Sequence, residues 1–146
     1  MRQRLKSAAF ALAFAGLGAA SIAAWRVADP APGVCRPGSV RAARLELLLG
    51  MGRKDGSEVS EAEWRTFLNN EVTPRFPDGL TVLPGYGQWR SGATGTLARE
   101  SERVLLIWYK PDINSDAHIE AIRTAYKTRF GQDSVMRVDG LSCVSF

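Results

Sequence analysis

The sequence predicts an α+β domain in which two helices lie on one face of a four-stranded antiparallel sheet, and three observations predict it. Apolar runs at 45–49, broken only by Glu46, and at 103–109, continuous after Arg103, have the length of buried strands. Apolar residues recur at helical spacing in two places, Trp64, Phe67, Leu68 and Val72, then Ile119, Ile122, Tyr126 and Phe130. Turn signals separate these segments and leave room for two more strands. The resulting order is β-α-β-β-α-β, the split βαβ or ferredoxin-like arrangement.

Each element has its own justification. The first strand spans 41–49 and is broken by the Gly-Met-Gly at 50–52, with a turn at 54–57. Ser60-Glu-Ala-Glu63 is a capping box, in which the serine oxygen takes a free amide and the glutamate reaches back. Val59 and Trp64 flank it as a hydrophobic staple. Proline at 74 ends the first helix, because it disfavours helical geometry in the residue before it. An extended stretch at 80–90 leads to a glycine-rich hairpin loop at 91–95. The return is expected in two pieces, a short strand at 96–100 and a buried one at 103–109. The second helix covers 116–130, capped by Asn114 or Ser115 and stopped by Gly131. The last strand lies within 134–144, with an expected interruption near Gly140. Residues 104–109 are apolar on both sides of their strand, which predicts a covered second face and a homodimer formed through the sheet.

The first forty residues are of another kind. Arg2, Arg4 and Lys6 precede a stretch, from Ser7 to Trp25, without a charge, in which the apolar Ala8–Leu17 is followed by small residues at Ser21, Ala23 and Ala24. This is the pattern of a signal peptide over 1–24, and it places the protein in the periplasm or outside the cell. The alternative is an uncleaved inner-membrane anchor, for which the run is nearly long enough but rich in alanine and glycine. Residues 25–40 form a Pro/Gly-rich arm, and 41–146 the folded domain. The formal charge of +4 falls to +1 once the three basic leader residues are removed. The basicity belongs to targeting, so a nucleic-acid partner has no electrostatic support.

Cys35 and Cys143 are the two cysteines, and an even pair in an exported chain predicts one disulfide between arm and final strand. A metal site is not expected with a single histidine and no second cysteine pair. No cofactor motif is present, since Gly85-Tyr-Gly87 is followed by no helix.

Several stretches together resemble a bacterial family, the domain of unknown function numbered 3574. They are DGSEVSEAEW at 55–64, VTPRFPDGL at 72–80, GQWR at 87–90, YKTRFGQ at 126–132 and CVSF at 143–146. The resemblance covers about 45–146. It implies an exported protein, and it brings no reaction and no catalytic residues.

Arg53, Arg75, Gln88 and Arg90, with Trp89, form the cluster that points to a ligand. Arginine forks match carboxylate or phosphate oxygens, and an indole can stack on a planar group. On a strand Gln88 and Arg90 share one face and Trp89 takes the other. The structural counterpart is that Arg75 anchors the loop after the first helix while Arg90 pairs with Glu100. Glu100 could act as a base if buried, or be a solvated partner of Arg99 or Arg103. His118 has no nucleophile or ligand partner in the sequence and reads as a surface residue. Tyr126 packs in the core with its hydroxyl satisfied at the edge. Two function classes stand: an envelope protein binding a small anionic ligand or a protein partner, and a cofactor-free isomerase or oxygenase on a dimeric barrel.

Overall fold

A computed structural model describes residues 34–90, 92 and 95–146, and the folded unit is Pro37–Phe146. The stretch read from the sequence as a signal peptide, 1–24, and most of the arm lie outside the described residues. Both Cys35 and Cys143 are disulfide-bonded. Among the described residues, no helix is long and apolar enough to cross a membrane.

The elements follow the β-α-β-β-α-β order: β1 (Val40–Gly50), α1 (Glu61–Phe67), β2 (Thr81–Arg90), β3 (Leu97–Tyr109), α2 (Ser115–Phe130) and β4 (Met136–Val144). The sheet order is β2-β3-β1-β4 and every neighbouring pair is antiparallel. This is the ferredoxin-like α+β fold, with the two longest apolar runs, on β1 and β3, at the centre of the sheet.

Alternation decides which residues face the helices. Leu45, Leu47 and Leu49 of β1, with Leu105 and Ile107 of β3, are fully buried under α1 and α2. Beneath them Phe67 meets Tyr126 edge-on at 5.1 Å between ring centroids, and Tyr126 meets Phe130 at 4.8 Å. The Tyr126 hydroxyl donates to the Gly50 carbonyl at 2.8 Å, so the one polar atom of this aromatic cluster is satisfied at the end of β1. Its pKa is pushed far above the usual tyrosine range, first by burial and then by the negative charge of Glu100.

The capping box forms as expected: the Glu63 amide donates to Ser60 Oγ at 3.3 Å, and the Ser60 amide to Glu63 Oε2 at 3.0 Å. The Ser60 bonds and then Arg53 hold the Glu63 carboxyl down at about 2. Val59 and Trp64 are both buried beside it.

The first helix departs from the expected regularity. It continues as a π turn over Leu68–Val72, closed by the Thr73 amide on the Leu68 carbonyl at 2.9 Å. Phe67 and Val72 are five residues apart, about 140° around a regular α-helix, yet both are fully buried. The widened turn brings them onto one side.

Three other expectations need correction. The two pieces foreseen at 96–100 and 103–109 are a single strand, β3. Its first half pairs with β2 alone, since β1 ends where Gly50 meets Glu102, and a ribbon solvated on both faces carries no apolar run. β4 runs through Gly140 without a break, with Gly140 paired to Arg44. The start of α2 is held by Asp112: its Oδ1 accepts from the Asn114 amide at 2.8 Å and from Ser115 Oγ at 2.9 Å, whereas the Asn114 side chain caps nothing.

Candidate functional site

The four residues singled out in the sequence are each held by a different partner. Arg53 Nη2 bonds Glu63 Oε1 at 2.7 Å, and the guanidinium lies 5.6 Å from the centroid of the Phe130 ring. Arg75 Nη1 bonds the Glu71 carboxylate at 3.0 Å and the Glu71 carbonyl, anchoring the end of the first helix. Gln88 Oε1 accepts from Arg99 Nε at 2.9 Å, and Arg90 Nη1 donates to the Gly95 carbonyl at 2.8 Å. Arg53 thus sits at the start of α1, Arg75 at its far end, and Gln88 with Arg90 on the outer part of the β2–β3 ribbon.

Arg75 is the one of the four that lines a cleft, of about 180 Å³, between the loop after the first helix, the end of β3 and the first turn of α2. Phe76, Tyr109 and His118 supply its rings, Phe76 lying edge-on to Tyr109 at 5.1 Å and to His118 at 6.4 Å. Lys110, Asp78 and Asp112 complete its charges. The Ser115 hydroxyl and then the Asn114 amide hold Asp112 below the ordinary aspartate range, so this carboxylate is engaged by the helix start. Burial, helped by Asp139, pushes the Tyr109 hydroxyl above its ordinary value. His118, read from the sequence as a lone surface residue, is brought to the same cleft as Arg75 by the packing of α2. Sequence spacing carries no sign of this, because the two residues come from different elements.

A second arrangement lies on the sheet face turned away from the helices. Glu100 folds over β1 so that its Oε1 is 2.5 Å from where a side chain on Gly50 would begin, and its Oε2 is 3.0 Å from the same point on Gly52. The carboxylate accepts the Gly52 amide proton, and burial followed by repulsion from Glu102 raises its pKa. Glu102 lies the other way, over Gly87 of β2, with Oε1 at 2.8 Å from the corresponding point. The expected partnerships of Glu100 do not form. Arg90 pairs across the ribbon with Leu97, Arg99 holds Gln88, and Arg103 Nη2 reaches Glu61 at 3.2 Å. Among the described residues no His, Cys, Asp or Glu cluster is arranged to hold a metal.

Residues 44–146 match the family model described as "Protein of unknown function (DUF3574)". The chain belongs to this family. The DUF3574 match takes in every strand and helix from the middle of β1 onward, and with it both the cleft and the Glu100 seat. No curated protein matches the chain in sequence. Among solved structures, a phage SAM lyase in complex with S-methyl-5'-thioadenosine is similar, with a TM-score of 0.57 at 10% identity over 77% of this chain and 94% of that one. The same lyase in its apo state gives 0.50 at 15% identity, over 77% and 95%. CutA from Synechococcus elongatus gives 0.45 at 15% identity, over 71% and 82%. At these identities the likeness to the lyase is one of fold.

Proposed function

We propose that the protein is an exported domain, delivered to the periplasm or beyond by the leader at 1–24, and that it binds a small anionic ligand in the Arg75 cleft. The observation that carries this reading is the convergence of Arg75, Lys110 and His118 on one concave site with aromatic walls. Guanidinium and ammonium groups recognise carboxylate or phosphate oxygens, and Phe76 and Tyr109 offer ring surfaces to a planar ligand. The negative charge of Asp112 is taken up by the start of α2, so Arg75, already bonded to Glu71, and Lys110 face the cleft with Asp78 as the remaining carboxylate. The cleft holds the liquid volume of about six waters, so the ligand is of the size of phosphate or a short dicarboxylate.

The competing reading, a cofactor-free enzyme, calls for a reactive group aimed into an enclosed space. The Tyr126 hydroxyl is bound to the Gly50 carbonyl, and Glu100 stands on the opposite face of the sheet from the cleft. Both observations favour binding. The test is a thermal-shift and calorimetric screen of phosphate, sulfate, oxalate and succinate against the disulfide-intact protein. At least one should bind the wild type, and Lys110→Gln and His118→Gln should each weaken it by about tenfold, the loss expected for one charge-assisted contact. Both variants should keep the wild-type melting temperature without ligand. No binding by any anion, or binding that both variants leave unchanged, refutes the reading.

A further inference from the structure

The register maps the sheet face opposite the helices. Leu83, Val104, Leu48 and Met136 stand in one row across all four strands, and Thr81, Leu106, Glu46 and Val138 in the next. Leu83 is 45% exposed, Met136 60% and Val138 42%, so this mainly aliphatic centre is open to water. Just outside it on β1 lie Arg44 on one side and Gly50 on the other, each three residues from Leu47. The place above Gly50 is filled by the Glu100 carboxylate.

This pattern is self-complementary. A two-fold axis lying across β1 at the level of Leu47 exchanges the two central rows, setting Val104 against Leu106 and Met136 against Val138. It also sets Arg44 of each copy over the Gly50 position of the other, where Glu100 lies. Sheets packed face to face stand about 10 Å apart, a gap that an arginine and a glutamate reaching toward each other can span.

We propose that this face is a homodimer interface in which Arg44 of each subunit pairs with Glu100 of the partner subunit. Among the described residues of one chain, Arg44 is only part-covered and Glu100 lacks a counter-charge. Arg44 Nη2 holds Glu46 at 2.8 Å and the guanidinium lies 6.0 Å from the centroid of the Trp108 ring, yet the side chain stays 43% exposed. Glu46, the one charge in the central rows, is therefore already neutralised. Glu100 has the Gly52 amide and, among the described residues, no cation. The Arg44 fork supplies its counter-charge from across the interface, and twice by symmetry. The area is also sufficient. Four strands at about 4.8 Å and some eight residues at about 3.3 Å give a projected face of roughly 500 Å². Side-chain relief carries that toward the ~800 Å² per partner of a standard interface. The inference concerns the opposite face from the Arg75 cleft and stands or falls independently of the ligand there.

The experiment is sedimentation equilibrium on the disulfide-intact protein with charge reversals. The wild type should be a dimer at micromolar concentration. Arg44→Glu and Glu100→Arg should each weaken dimerisation by on the order of tenfold or more, and the combined R44E/E100R protein should recover it. Met136→Asp, at an exposed position of the central rows, should dissociate the dimer while circular dichroism stays native. A monomeric wild type at about 100 μM, a trimer, or charge reversals that leave the dimer intact or are not rescued in combination would overturn the proposal.

Discussion

Gly50→Ala tests the seat of Glu100 directly. The backbone at Gly50 lies outside the left-handed region, so alanine fits the strand itself, and replacing glycine there should stabilise by about 0.4–1 kcal/mol through the unfolded chain. The new methyl group, however, would begin 2.5 Å from Glu100 Oε1 and 2.8 Å from its carboxyl carbon. The carboxylate must swing away and give up the Gly52 amide, a hydrogen bond to a charged group worth about 1.5–3 kcal/mol. The net expectation for G50A is a loss of about 1–2 kcal/mol. In a Glu100→Ala background the obstacle is gone, and the same substitution should become stabilising by about 0.5 kcal/mol. Urea unfolding of the four proteins, at dilution where association contributes nothing, measures the cycle. Equal effects of Gly50→Ala in both backgrounds would refute the argument that the glycine exists to admit the carboxylate.

Two further outcomes follow from the core and the cap. Tyr126→Phe should cost about 1–2 kcal/mol, because the Gly50 carbonyl loses its 2.8 Å donor in a buried setting; an unchanged urea midpoint would place water or another donor there. Glu63, held at about 2 by the Ser60 bonds and Arg53, has a folded pKa below its ordinary 4.5. Its contribution is therefore complete above about 4.5 and lost as pH falls toward 2. Glu63→Gln should flatten stability across that window, and a parallel acid profile for mutant and wild type would count against the box.

The sheet and both helices were legible because their signals are local. Leu45 to Leu49 are apolar at every position but Glu46, Ser60 and Glu63 stand at box spacing, and Gly131 stops α2 with a φ of 69°. What escaped depends on pairing. The outer half of β3 shows no apolar run because Arg99 and Ser101 belong to a ribbon solvated on both sides. Gly50 and Gly52 read as breakers of the first strand, yet Gly50 is paired within it and is small for the sake of Glu100, fifty residues on. The glycine pairs at 50 and 52 and at 85 and 87 flank the strand carrying Glu100 and Glu102, a signal visible once the register is known. Arg75 was found as a candidate but His118 was not, since nothing in the sequence places the two on one cleft.

The π turn in the first helix has a consequence for the cleft. It is an α-helix carrying one residue too many, and one residue is worth about 100° of rotation around a helix axis. Everything downstream inherits that phase, including Arg75 and Phe76, which follow within four residues of Val72. A regular α-helix of the same sequence would deliver both side chains about a quarter-turn away, Phe76 off Tyr109 and Arg75 off the cleft wall. The supernumerary residue thus works as an angular shim, setting where the helix aims its last side chains independently of how its first turns pack.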